Sequence, residues 1–166
     1  MWYNISKEVY LERRITMVYV RDVARWFLSK NSMTHKKLQK LCYYAQAWYC
    51  ALYDGSPLFE DEIQAWIHGP VIPTLYPVYA DYKWNDIPQA DFDESVFDQK
   101  VLDILNSVHF TYNKFNGDQL EMLSHSEDPW IKARGDLEEW EVCTNPLKIE
   151  DMVKYYRKLY EQDQND

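Results

Sequence analysis

At 166 residues, 46% of them hydrophobic and 16% aromatic, the chain suits one compact domain with enough apolar area to offset chain entropy, which excludes wholesale disorder. The net charge of -9 disfavours general DNA or RNA binding, whose affinity comes from Lys and Arg displacing counterions. With only 4 Gly and 7 Pro there is little material for a many-turned β-sandwich or a glycine-rich phosphate loop, so a helical fold is favoured. Residues 1–16 read as an N-terminal extension, in which Lys7, Glu8, Glu12, Arg13 and Arg14 leave no apolar signal-peptide core. No later segment approaches the about 18 apolar residues of a membrane span, and the chain is expected to be neither exported nor membrane-spanning. Cys42, Cys50 and Cys143 are odd in number and lack CxxC spacing, which suggests no disulfide framework and fits a reducing cytoplasm.

In chain order, Val20, Val23, Ala24, Phe27 and Leu28 recur at amphipathic-helix spacing and predict a first core helix to about Lys30. Thr34 offers an N-cap oxygen for a long helix from His35 to Tyr53, stopped at Asp54-Gly55. Its core face holds Leu38, Leu41, Cys42, Ala45, Trp48, Tyr49 and Leu52. Tyr44, Ala47 and Ala51 make the later half apolar nearly all round, which puts this helix at the centre of the fold. Ile63, Ala65 and Ile67 alternate with polar or amphipathic neighbours as in a short half-buried strand. Gly69 breaks direction, and Pro70 opens a helix carrying Val71, Leu75, Val78, Tyr79 and Tyr82, shortened or kinked at Pro77.

Lys83 to Asp93 reads as loop. Asp93 caps a helix to about Tyr112, with Val96, Phe97, Val101, Ile104, Leu105 and Val108 as its core stripe. Shorter helices follow over 117–123, 128–133 and about 150–160, and the tail 161–166 is expected to fray. The fold class is α+β and predominantly helical: a single compact domain over 17–160, with a long central helix and a short strand or hairpin beside it.

Three stretches carry a resemblance: Lys37-Leu38-Gln39-Lys40-Leu41 running into Tyr43-Tyr44-Ala45-Gln46, then Ile63-Gln64-Ala65-Trp66, then Gly69-Pro70-Val71. A fourth is Leu123 to Trp130, leading to Ala133-Arg134. Together they resemble the Panacea domain of SocA-like antitoxins and phage-associated GepA-like proteins, over roughly Met17 to Tyr160. The resemblance implies a helix-rich, non-enzymatic module that binds and neutralises a cognate toxin protein. It also implies an additional property of at least one such antitoxin, delivery of the toxin to a cytoplasmic protease.

Candidate partner-binding residues fall in two groups. Lys36, Lys37 and Lys40 crowd the first turns of the long helix, where the macrodipole is already positive, so an acid is expected nearby. It is either the chain's own acidic loops, such as Glu60-Asp61-Glu62, or an acidic patch on a partner. Trp66, His68, Gly69 and Pro70 form a strand-to-helix corner, where Trp66 either packs beneath the next helix or faces a partner.

Ser124, His125 and Glu127 invite a hydrolase reading near His125 or His68. Neighbouring residues rarely form the nucleophile-to-base bond, however, and Ser126 or Asp128 as N-cap with Pro129 first in the helix accounts for them. No HxxxH, HExxH or CxxC spacing points to a metal, and no cofactor is expected. Charge is uneven: 9 Lys and Arg against 4 Asp and Glu up to Asp54, and 9 against 23 thereafter. The halves should attract each other, or the acidic half should face a basic partner. An acidic nucleic-acid-mimicking phage protein is the remaining alternative.

Overall fold

The structure, a computed structural model, describes residues 17–166. The extension over 1–16 lies outside the described residues. Helix α1 (Val20–Lys30) buries the predicted stripe and also Trp26, whose Nε1 donates to Glu94 Oε2 at 3.0 Å. Strand β1 (Met33–Thr34) leads directly into α2 (His35–Leu52), where the Thr34 hydroxyl accepts from Lys37 N as the capping preference predicts.

Helix α2 is the axis of the fold. Leu38, Leu41, Cys42, Tyr43, Tyr44, Ala45, Ala47 and Cys50 are all fully buried, and elements pack on it from every side. Leu52, expected on the core face, is instead exposed at the last turn.

The corner after Ile67 differs from its expectation. Pro70 does not open a helix: β2 (Gln64–Trp66) turns through Ile67 and His68 and pairs antiparallel with β3 (Gly69–Val71), Trp66 facing Gly69 and Ala65 facing Pro70. Among the described residues strand β3 pairs only with β2 and so is an edge strand, where a proline without an N–H costs no ladder bond. The helix that follows is a single turn, α3 (Tyr76–Tyr79), with Pro77 near its start, continued by a 3-10 turn over Ala80–Tyr82. Leu75 is buried, but Val78 and Tyr82 are exposed.

The stretch expected as loop contains β4 (Asp86–Ile87), paired with β1, so that the buried Ile87 seals the entry to α2. Asp93 caps only a 3-10 turn over Glu94–Val96 and leaves Val96 exposed. Asp98 caps the main helix α4 (Gln99–Tyr112), its carboxylate accepting from Val101 N at 3.0 Å. Then come α5 (Gly117–His125), opened by a reciprocal Asn116–Gln119 capping box, α6 (Asp128–Arg134) and α7 (Ile149–Asn165). Helix α7 runs through the stretch expected to fray and lies along α2, a central packing that the helix pattern alone had not assigned. No helix among the described residues is long and apolar enough to cross a membrane.

Candidate functional site

The β2–β3 turn sits on the N-terminal half of α2 and on α5, and a glycine is required to make that approach. Gly69 has φ +100°, and a Cβ there would lie 2.5 Å from Lys40 Cε and 3.0 Å from Ser124 Oγ. The absence of a side chain therefore lets the hairpin lie against a buried lysine. Lys40 is only 1% exposed and donates to the Pro70 carbonyl at 3.2 Å. Burial lowers its ammonium pKa to about 7, with Glu121 pulling the other way and Lys36 adding to the fall. Gly69 and Pro70 are buried with it. These three candidate residues thus face inward and act on the scaffold.

The remaining candidates rim this point. Lys36 pairs with Asp118 at 2.7 Å and with Glu121. The acid that satisfies the α2 N-terminus is therefore in α5, not in the Glu60–Glu62 loop. Lys37 Nζ donates to the Asn113 carbonyl at 2.7 Å. His68 is exposed, and its Nδ1 donates to Glu121 Oε1 at 3.0 Å. Burial raises the Glu121 carboxyl pKa, but the Lys36 and His68 hydrogen bonds and charges prevail and hold it below its ordinary value. Trp66 is half-buried, tilted against Tyr76 at 5.1 Å between centroids, with Nε1 donating to Gln64 Oε1. The structure thus unites Lys36, His68 and Glu121 at one accessible rim, with Trp66 across the hairpin. With Lys30–Glu94, the Lys36 pairs also join the basic first part of the chain to its acidic remainder.

Ser124, His125 and Glu127 point in three different directions. The Ser124 hydroxyl donates to its own helix at the Glu121 carbonyl, 3.0 Å. The His125 ring stacks on Trp130 at 3.9 Å and 15°, and burial holds its pKa below the usual value. Glu127, 3% exposed, turns into the core, where Tyr44 OH donates to Oε1 at 2.6 Å. Glu127 occupies the N-cap position of α6 without a side-chain capping bond, Pro129 comes second in the helix, and the Ser126 hydroxyl donates to Leu123 O. Neither Ser126 nor Asp128 is therefore the cap: the N-cap position falls on Glu127, whose carboxylate is turned to Tyr44, and no side chain among the described residues caps α6.

Around Glu127 the tyrosines form a wall. Tyr44 stacks on Tyr112 at 4.0 Å, Trp48 Nε1 donates to Tyr112 OH, and the hydroxyls of Tyr43 and Tyr156 are 2.9 Å apart. Burial pushes the Glu127 carboxyl up to about 7 from an ordinary 4.5, against the hydrogen bond from Tyr44. Folding therefore favours its protonated form. Its contribution is complete below about pH 4.5 and is lost as pH rises through about 7. Buried His35, lowered by burial to about 4, gives an opposite slope between there and 6.5. The variant Glu127→Gln keeps an acceptor for Tyr44 and cannot ionise. In urea melts from pH 4 to 8 its stability relative to the parent should rise with pH, gaining about 3 kcal/mol by pH 8. A pH-independent difference would contradict the assignment.

Sequence reasoning missed three polar anchors. Gln46 Oε1 accepts from Leu58 N and Phe59 N while its Nε2 donates to Phe59 O, clamping the loop after α2. Gln39 Oε1 accepts from Ile72 N and fixes the end of the hairpin. Arg134, 3% exposed, lies over Trp130 and donates to the carbonyls of Ala65, Glu138, Glu139 and Glu141. Gln39, Gln46 and Arg134 each fall within or next to the motifs quoted above, and a buried amide or guanidinium is the signal that could have marked them as loop clamps.

Among the described residues no group of three or more His, Cys, Asp or Glu is placed to hold a metal ion. Compared with known proteins, residues 38–131 match the family described as "Antitoxin SocA-like, Panacea domain". No curated protein and no solved structure matches the chain.

Proposed function

Since the chain belongs to the SocA-like, Panacea-domain antitoxin family, we propose that it neutralises a cognate toxin protein in the cytoplasm by binding it directly, without turnover, in a toxin–antitoxin or phage-related system. The family match, over more than half of the chain, carries this reading. Two features of the molecule support it. Ser124 and Glu127 are engaged in separate structural bonds and His125 stacks on Trp130, so the three do not converge, and the motif residues hold loops in place, as a rigid binding platform requires. The rim of Lys36, Lys37, His68 and Trp66 is one part of the proposed contact surface, with Lys40, Gly69 and Pro70 supporting it from beneath.

Co-expression with the product of the neighbouring gene tests the proposal. Restored growth and co-purification in a stoichiometric complex are expected. Growth arrest unrelieved by the chain, with no complex formed, would overturn it. A protease adaptor would in addition shorten the toxin's half-life, which a chase after blocking synthesis would read.

A further inference from the structure

We infer that the loop from Asp136 to Val142 is a preformed anchor for a basic segment of the toxin, an inference that rests on the antitoxin reading above. The loop joins α6 to the chain that returns beside β2, and it is held at both ends. Arg134 gathers three of its carbonyls from below, Glu138 N donates to Glu141 Oε2 at 2.7 Å, and Glu141 N donates to Glu138 O. On the far side Cys143 is buried, and Asn145 O accepts from Ala65 N of the hairpin.

This well-fixed backbone turns its large apolar side chains outward. Trp140 is 74% exposed and Val142 80%. An indole in water on a pinned loop has already lost its backbone freedom and lacks only a surface to cover it, the arrangement that makes Trp effective at interface centres.

Charge selects the occupant. Asp136, Glu138, Glu139 and Glu141 lie within four residues of Trp140 in the chain and are exposed, and among the described residues none of the four is in an ion pair. A partner segment carrying Lys or Arg beside an apolar residue matches this pattern. Nucleic acid is repelled, and a second copy of this chain, with its net charge of -9, is disfavoured by overall repulsion.

The test uses the full chain and the neighbouring-gene toxin, with binding followed by surface plasmon resonance at two salt concentrations. Trp140→Ala should weaken binding about 30-fold or more, mainly through faster dissociation. Glu138→Lys with Glu139→Lys should slow association by about tenfold and flatten its salt dependence. Both variants should keep the parent's melting temperature, since the altered side chains are exposed. Trp84→Ala and Phe110→Ala, equally exposed aromatics elsewhere, serve as controls and should bind as the parent does.

If the parent binds and the loop variants bind equally well, the inference falls while the antitoxin reading stands. It falls likewise if Trp140→Ala only dissolves a self-association seen by ultracentrifugation. If the parent itself neither binds nor protects, both readings fall together.

Discussion

Gly69→Ala is expected to lower the stability of the fold by about 2–4 kcal/mol in chemical denaturation, because two separate costs meet at this residue. The first is conformational: φ +100° lies where side-chain-bearing residues are strained. The second is steric. The new methyl would lie 2.5 Å from Lys40 Cε, and the lysine has nowhere to retreat, being enclosed and bonded to the Pro70 carbonyl. Gly135 separates the two costs. It also has positive φ, at +60°, but a Cβ there meets nothing within 4 Å. Gly135→Ala should therefore show only the backbone part, about 1–2 kcal/mol. Equal losses at the two glycines would remove the collision from the account.

The second large effect is expected at Arg134. Arg134→Leu should cost about 3–5 kcal/mol, since it deletes charge-assisted bonds and leaves the Ala65, Glu138 and Glu141 carbonyls short of a donor. Arg134→Lys should recover little of this. One guanidinium nitrogen serves the hairpin and another the loop, and a single ammonium cannot span both with the same geometry. Hydrogen exchange provides the local readout: amides between Asp136 and Val142 should exchange much faster in either variant. Near-parental stability and protection with lysine would show that charge alone suffices.

The sequence was most informative where one physical rule acted alone. The α1 stripe, the Thr34 cap and the uninterrupted run of α2 followed from spacing and capping chemistry, and the central position of α2 followed from its apolar second half. It misled where two local rules competed. Pro70 suits a helix start, but the Ile67-His68 turn with Gly69 at positive φ folds the chain back onto β2 before a helix can begin. Asp93 and Asp98 are both competent caps, and only the tertiary demand to bury Phe97 while Val96 stays in water decides between them.

The candidate site was legible in part. Lys36, His68 and Trp66 do gather around the hairpin, whereas Lys40 was placed with them by helix position and lies inside because the hairpin covers it. The inward turn of Glu127 and the clamp of Arg134 depend on contacts across 83 and 69 residues of chain, which periodicity cannot register.

The tyrosine wall has a bearing on how such proteins can be recombined. Tyr43 and Tyr44 lie inside the segment shared with the family, but Tyr156, whose hydroxyl meets that of Tyr43 and whose ring stands near Trp48, comes from α7 beyond its end. The recurring stretch and the mechanical unit thus have different borders. A chimera cut at the edges of the shared stretch would graft in one half of an aromatic seam and inherit the other half from a stranger, so exchange between relatives has to carry the terminal helix along.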